Sequence, residues 1–123
     1  MPTKPSKNLQ VVPNPTSKRD YEINITTHEL TCICPMTSQP DFATLTITYV
    51  PDKFIVELKS LKLYLWSFRH EGTFHEAVTN KILDDLIEAL NPRSIEVVAD
   101  FAIRGGIHTM VKASHKKENP AII

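Results

Sequence analysis

Alternating apolar and polar residues predict strands in both halves of this chain. At positions 44–49, three apolar residues alternate with three threonines, which is the pattern of a strand with one buried face. A shorter alternation over 21–33 and a longer one over 95–103 predict two more strands. A Pro-Asp-Lys turn predicts that 54–58 returns as the hairpin partner of 44–49, and a Gly-Gly turn predicts a final strand over 107–113.

Two amphipathic helices are predicted between these strand pairs. Apolar positions spaced three and four residues apart give each helix one buried face. Ser60 is the predicted N-cap of the first helix. Thr73 and Glu76 match a capping box for the second helix, which is expected to end at Asn91-Pro92. The apolar positions are Leu61, Tyr64, Leu65 and Phe68 in the first helix, and Val78, Ile82, Leu86 and Leu90 in the second.

The order of these elements predicts an α+β fold of ββααββ type. An antiparallel four-stranded sheet is covered by the two helices and preceded by a short N-terminal strand. Residues 1–20 are rich in proline and polar residues and are predicted to form a flexible arm, followed by a single domain over 21–113 and a C-terminal tail over 114–123. Because such a sheet leaves exposed edges, we expect copies of the chain to pair into a ring.

Composition and charge narrow the class of protein. The 123 residues suffice for one domain, and 14 Lys and Arg balance 14 Asp and Glu, which argues against a general nucleic-acid binder. We expect a cytoplasmic protein, because no apolar run approaches the roughly 20 residues that cross a membrane and the N-terminus lacks a signal-peptide core. The 2 cysteines are then expected to stay reduced.

The segment from Cys34 to Asp41 carries the most specific candidate chemistry. It reads Cys-Pro-Met-Thr-Ser-Gln-Pro-Asp, a loop composition in which two prolines restrict the backbone. The thiol and the carboxyl at its two ends are a potential nucleophile and a potential proton carrier. The residues alone leave an alternative open, in which Cys34 is a small buried side chain and Asp41 a turn residue.

Other candidate sites are defined by cations and by metal-ligand types. Lys59 and Lys62 near the first helix and Arg104 beside paired glycines predict an anion site, although a solvated basic face fits the same spacing. A Cys-His hydrolase is a further option, but no orienting residue or oxyanion signature accompanies it. Zinc binding is a third option, which Cys-x-Cys spacing supports only weakly. Its ligands would be His28, Cys32, Cys34 and His75.

Four sequence segments, taken in order, match one family. They are Cys-Pro-x-Thr-x-Gln-Pro-Asp-Phe-Ala at 34–43, Glu-Leu-Lys-Ser-Leu-Lys-Leu-Tyr at 57–64, Ser-Phe-Arg with Gly-x-Phe-His-Glu at 67–76, and Arg-Gly-Gly at 104–106. Through them the chain resembles the 7-cyano-7-deazaguanine reductases, the QueF-type nitrile reductases of queuosine biosynthesis, in their single-module form. These enzymes are relatives of GTP cyclohydrolase I and share its tunnelling fold. The resemblance runs from about 21 to 107.

The resemblance implies reduction of a nitrile to the primary amine of 7-aminomethyl-7-deazaguanine with two NADPH. Cys34 would attack the nitrile carbon to form a thioimide, and Asp41 would protonate the nitrogen. The resemblance also implies a ring-based homo-oligomer, for which a decamer is one option, with sites between subunits. No metal, membrane or direct nucleic-acid contact is expected. The implied substrate-binding residues are Val56, Glu57, Leu58, His75 and Glu76, and the implied contacts to NADPH phosphates are Lys59, Lys62 and Arg104.

The chain departs from the family pattern at three positions. Leu58 stands where many relatives have Ser, and Ser38 replaces a common Gly, which is expected to be tolerated unless φ there is positive. Cys32 is additional, and the sequence fits a bystander and an oxidation partner equally. Two other functions remain open. One is an amidinotransferase-type cousin that acts on nitrile-bearing tRNA and lacks the lysine signature, and the other is a non-catalytic tunnelling-fold binding module.

Overall fold

A computed structural model describes residues 3–118. Six strands and two helices follow one another within this range, in an α+β order that confirms the predicted class and the placing of both helices between strands. They are β1 (Val11–Pro13), β2 (Ile23–Ile33), β3 (Pro40–Val50), β4 (Phe54–Val56), α1 (Leu58–Trp66), α2 (His75–Leu90), β5 (Ser94–Phe101) and β6 (Met110–Lys116).

The main sheet is antiparallel and has four strands in the order β2-β3-β5-β6. The predicted hairpin between 44–49 and 54–58 is wrong, because β4 pairs instead with β1 in a separate two-stranded sheet. The strand predicted to be short over 21–33 is β2, which has 11 residues and pairs with β3 along most of its length. β4 offers only three residues, and the N–H of Val56 donates to the Tyr49 hydroxyl rather than to the backbone of β3. The longer strand β2 therefore occupies the place beside β3 that was predicted for β4.

The core lies between one face of this sheet and the two helices. The predicted alternation of β3 is confirmed, because Leu45, Ile47 and Tyr49 are at most 1% exposed while the intervening threonines lie on the other face. The helical stripes are confirmed as well, and Leu86 of α2 is fully buried beside the sheet. Packing of this kind fixes the strand register, which in turn determines what lies opposite each catalytic candidate.

The helix starts differ from the predicted caps. Glu57, not Ser60, caps α1, because its carboxylate accepts hydrogen bonds from the N–H groups of Lys59 at 2.5 Å and Ser60 at 2.9 Å. A carboxylate satisfies two donors at once and suits the positive end of the helix. The capping box of α2 is also wrong. Phe74 is the N-cap and makes no side-chain cap bond, so the Glu76 carboxylate is not used there. Asn91 ends α2 as predicted, with φ of 43°.

The predicted N-terminal arm contains β1, and its second half is tied to the domain. The Arg93 guanidinium donates to the Ser17 carbonyl at 2.5 Å and to Asp20 at 2.6 Å. At the other end, β6 extends to Lys116, inside the predicted tail. Residues 1–2 and 119–123 lie outside the described range, and the domain boundaries stay a prediction. Neither helix within residues 3–118 is long and apolar enough to cross a membrane.

Candidate active site

The loop between β2 and β3 is closed at its base by backbone hydrogen bonds. The Cys34 N–H donates to the Gln39 carbonyl at 2.9 Å, and the Ser38 N–H donates to the Cys34 carbonyl at 2.9 Å. The register of the two strands sets Asp41 directly opposite Cys32. Ser38 adopts φ of 62°, the left-handed conformation that favours glycine, so the condition attached to the replacement of the family's common Gly by Ser38 is met. The loop therefore has one defined shape that presents Cys34 near Asp41.

A second segment brings the start of α2 to the same place. The Ile33 N–H donates to the Glu71 carbonyl, and the Thr73 N–H donates to the Ile33 carbonyl, both at 2.9 Å. These bonds form a parallel bridge between Ile33 and Gly72, immediately before Cys34. Because α2 begins two residues after Thr73, its first turn lies beside the cysteine loop.

A small cavity of about 120 Å³ lies where these segments meet. It brings together five of the residues that the sequence singled out, although they come from four separate parts of the chain. The three others that line it are Pro35, Thr73 and Phe74. The five are Cys34, Asp41, His75, Glu76 and Arg104.

Asp41 is the buried acid of this cavity. Its carboxyl is 6% exposed, with Oδ2 lying 3.1 Å from Nε2 of His75 and Oδ1 lying 3.2 Å from Nη1 of Arg104. The His75 ring in turn stacks on Phe101, with the ring centroids 3.8 Å apart and the planes at 8°. Both oxygens of Asp41 thus have a partner, and the carboxyl is fixed in orientation.

The thiol of Cys34 is set up to ionise. The side-chain hydrogen bond from Thr37, then the Met36 backbone, the Arg104 side chain and the Thr37 backbone lower the pKa of Cys34 from 9.0 to about 7. About half of the thiol is then thiolate at neutral pH. The thiolate is the nucleophilic form of cysteine. Cys34 is therefore ionised to the extent that its predicted role as a nucleophile requires.

Cys32 has the opposite environment. It is fully buried in the core, and its Sγ lies 3.9 Å from the Thr73 carbonyl. Burial, followed by the nearby Asp41 and Cys34, raises the pKa of Cys32 to about 11, so this thiol stays protonated at neutral pH. Within residues 3–118 no group of three or more His, Cys, Asp or Glu side chains is arranged to bind a metal ion. His28, a ligand in the zinc alternative, instead lies 3.0 Å from the Thr44 hydroxyl.

The remaining predicted site residues do not line the Cys34 cavity. Val56 is buried in β4, Glu57 caps α1, and Leu58 is 62% exposed. Lys59 follows the cap, and Lys62 lies with Leu58 in a second, larger groove of about 410 Å³ between β2 and α1. The groove is lined by Ile25, Thr27, Glu29, Leu58, Leu61, Lys62, Leu65, Trp66 and Arg69.

Sequence reasoning missed two contributors to the site. Thr37 was counted only as a small loop residue, yet its hydroxyl has the largest effect on the pKa of Cys34. The sequence does carry a signal for Thr37, which is the threonine of the matched motif at 34–43. Phe101, which stacks on His75, was assigned only to a strand face. No local signal marks it, because the contact depends on how α2 packs against the end of β5.

Comparisons with known proteins agree with one another. The model of the family described as QueF-like protein matches residues 40–120. A protein of Thermomicrobium roseum is 65% identical, covering 98% of this chain and 96% of its own length, and one of Anaeromyxobacter sp. (strain K) is 66% identical, covering 98% of each. One of Nitrosospira multiformis is 60% identical over 94% of this chain and 84% of its own. Each is named NADPH-dependent 7-cyano-7-deazaguanine reductase.

Among solved structures, the chain resembles the apo crystal structure of the archaeosine synthase QueF-Like. The TM-score is 0.73 at 19% identity, over 80% of this chain and 96% of that one. At this identity the likeness establishes the fold alone, and it confirms the predicted tunnelling fold.

Proposed function

Since the chain belongs to the QueF-like family of NADPH-dependent 7-cyano-7-deazaguanine reductases, we infer that it reduces the nitrile of 7-cyano-7-deazaguanine to the aminomethyl group, a step of queuosine biosynthesis. The reaction consumes two NADPH and two protons for each nitrile. The observation that carries this inference is the identity of 65% to such a reductase over 98% of the chain. The Cys34 cavity provides the matching chemistry.

Cys34 acts as the nucleophile. Its thiolate bonds to the nitrile carbon, one C–N π bond breaks, and the electron pair on nitrogen takes up a proton to give a thioimide. The lowered pKa of Cys34 supports this role, since it provides thiolate at neutral pH. Cys32 is excluded from it by burial and by its raised pKa.

Asp41 supplies the proton. Its Oδ2 contact with His75 and its Oδ1 contact with Arg104 hold the carboxyl within the cavity that Cys34 lines. A general acid must lie within hydrogen-bond reach of the atom that it protonates, and both groups line one cavity of about 120 Å³.

Glu76 recognises the heterocycle. It lies in the first turn of α2, where its carboxylate is free of the capping role and lines the Cys34 cavity. A carboxylate accepts two hydrogen bonds in parallel from the N–H edge of a guanine-like ring. We propose that His75, in the same cavity, also contacts the substrate, as do Val56, Glu57 and Leu58.

The cations fit an anionic dinucleotide. Lys62 lies in the 410 Å³ groove with the indole of Trp66, a combination of charge and aromatic surface that suits phosphate and a planar ring. Lys59 and Lys62 would hold the phosphates there, and Arg104 would do so beside Cys34. NADPH, when bound, supplies the hydride. The chain's part is to place the substrate carbon and to keep water away from it.

The site is completed by a second copy of the chain, in a ring-based homo-oligomer. β2 and β6 are the two edges of the main sheet and are open to pairing in the single chain. The Cys34 cavity of about 120 Å³ is smaller than the roughly 300–1,000 Å³ of a typical ligand pocket. Residues 56–62, which do not line it, would come from the neighbour. Cytoplasmic location and the lack of direct nucleic-acid contact remain predictions from the sequence.

The test follows NADPH absorbance with 7-cyano-7-deazaguanine under anaerobic, reducing conditions, with intact-mass analysis of the protein. We expect two NADPH oxidised per nitrile and, without NADPH, an adduct of one nitrile per chain that Cys34→Ala abolishes. An adduct without NADPH oxidation would favour the amidinotransferase type. Neither adduct nor oxidation would leave only a binding module.

A further inference from the structure

Arg104 is not simply a surface cation available to a phosphate. Its Nη1 lies 3.2 Å from Oδ1 of Asp41 and 3.5 Å from Oε1 of Gln39. The turn that carries it is closed by reciprocal backbone bonds with Ile107, at 3.1 and 3.0 Å. The Ala102 N–H anchors the same segment to the Phe42 carbonyl at 2.8 Å, next to Asp41. The guanidinium therefore lines the reacting cavity, in contact with Asp41.

We propose that Arg104 balances the negative charge that moves from Cys34 to Asp41 while the thioimide forms. The proposal rests on the proposed function, because it takes Cys34 as the nucleophile and Asp41 as the proton donor. Arg104 thereby gains a role in the chemical step that is separate from any contact with NADPH.

The charge movement follows from the reaction itself. Cys34 Sγ begins as a thiolate and becomes neutral when it bonds to carbon. The nitrogen takes its proton from the Asp41 carboxyl, which becomes a carboxylate. One negative charge thus passes from sulfur to oxygen. A cation in contact with both ends stabilises the charge before and after the transfer.

The charges around the cavity fit this assignment. Arg104 is permanently protonated, and its proximity to Cys34 and Asp41 raises the pKa of the guanidinium further. Cys32 stays protonated behind the loop. Among the charged and titratable residues described around Arg104, it touches Cys34, which carries the negative charge before the transfer, and Asp41, which carries it afterwards. The groups that face it from the packed elements are Cys32 of β2, Cys34 of the loop, Asp41 of β3, and His75 and Glu76 of α2.

Two contacts of the site do not involve the guanidinium. Oδ2 of Asp41 lies 3.1 Å from His75, and the Cys34 N–H donates to the Gln39 carbonyl at 2.9 Å. Replacing Arg104 with Met therefore removes charge and hydrogen bonds while preserving length. Arg19→Met is the matched control, because Arg19 is exposed in the N-terminal arm and lines neither the Cys34 cavity nor the 410 Å³ groove.

The experiment measures thioimide formation by intact mass in the absence of NADPH. We expect Arg104→Met to slow the adduct by at least about tenfold, Arg104→Lys to restore part of the rate, and Arg19→Met to match the wild type. Wild-type adduct formation in Arg104→Met, with only the KM for NADPH raised, would reduce Arg104 to a phosphate anchor and overturn the proposal.

A second readout needs neither nitrile nor NADPH and so stays informative if the proposed function fails. The pH profile of iodoacetamide alkylation of Cys34 should move to higher pH in Arg104→Met and stay in place in Arg19→Met. If the midpoint rises by one pH unit from about 7, alkylation at pH 7 falls about fivefold. An unchanged midpoint in Arg104→Met would also contradict the proposal.

Discussion

Thr37→Val should weaken the nucleophile while the backbone bonds that Cys34 makes with Ser38 and Gln39 still close its loop. The Thr37 hydroxyl accepts a hydrogen bond from the Gln39 N–H at 3.3 Å, which leaves its own hydrogen for the Cys34 sulfur. This side-chain bond is the largest of the influences that lower the pKa of Cys34. Valine has the same shape as threonine but neither donates nor accepts, so the substitution removes the bond to Cys34 together with the weaker bond from the Gln39 N–H.

The size of the effect follows from the two limits of the titration. With the pKa of Cys34 at about 7, half of the thiol is ionised at pH 7, whereas at the ordinary value of 9.0 only about 1% is. Loss of the largest contributor should recover a substantial part of this range. A rise of one unit in the pKa would reduce the thiolate at pH 7 to about 9%, a fivefold loss in alkylation rate.

The assay is the rate of iodoacetamide alkylation between pH 5 and pH 10, read by intact mass. The pKa must rise, so the alkylation profile of Thr37→Val must shift to higher pH. At pH 10, where both thiols are ionised, its rate must be at least that of the wild type, because a thiolate of higher pKa is the stronger nucleophile. Thr46→Val is the control, because Thr46 lies in β3 on the face away from the core. A profile for Thr37→Val that coincides with that of the wild type would refute the assignment of the hydroxyl.

Three further substitutions test the loop, the cofactor groove and the second cysteine. Ser38→Gly should raise the free energy of unfolding in urea by about 0.5 kcal/mol, because relief at φ of 62° exceeds the added freedom of glycine; a less stable variant would contradict the strain. Lys62→Met should raise the KM for NADPH about tenfold and leave NADPH-free adduct formation unchanged, whereas Lys53→Met should change neither; an unaltered KM would remove Lys62 from the cofactor site. Cys32→Ala should keep the adduct that Cys34→Ala loses, since the raised pKa of Cys32 keeps its thiol protonated; the reverse result in intact-mass analysis would exchange their roles.

Local patterns predicted the elements that bury one face, and failed where pairing depends on distant residues. The alternation in β3 identified its buried side chains correctly, because burial of one face alone generates that pattern. The prediction for β4 was wrong because two other contacts decide where this strand lies. They are its pairing with β1 and the hydrogen bond from the Val56 N–H to the Tyr49 hydroxyl. Hairpin logic considers only neighbours in sequence.

The same distinction holds within the candidate site. Cys34 and Asp41 were identifiable because one loop carries both residues. The proximity of His75 depends on the bridge between Ile33 and Gly72, and its stacking on Phe101 depends on how α2 packs on the sheet. The motifs therefore supplied the residue types of the site, while the tertiary structure decided which of them share a cavity.

The separation of the two groups of motif residues has a consequence for assembly. The reaction needs hydride delivery at the carbon that Cys34 holds, yet Lys62 lies in a groove of about 410 Å³ that shares no lining residue with the Cys34 cavity. Arg104 is the one predicted phosphate contact on the cysteine side. A dinucleotide could span both groups within one chain, or a neighbouring chain could bring its groove to the cavity. The open edges β2 and β6 favour the second arrangement. Mixing Cys34→Ala with Lys62→Met subunits at NADPH concentrations well below the raised KM distinguishes the two. Activity should rise above that of the Lys62→Met subunits alone only if the groups come from different chains.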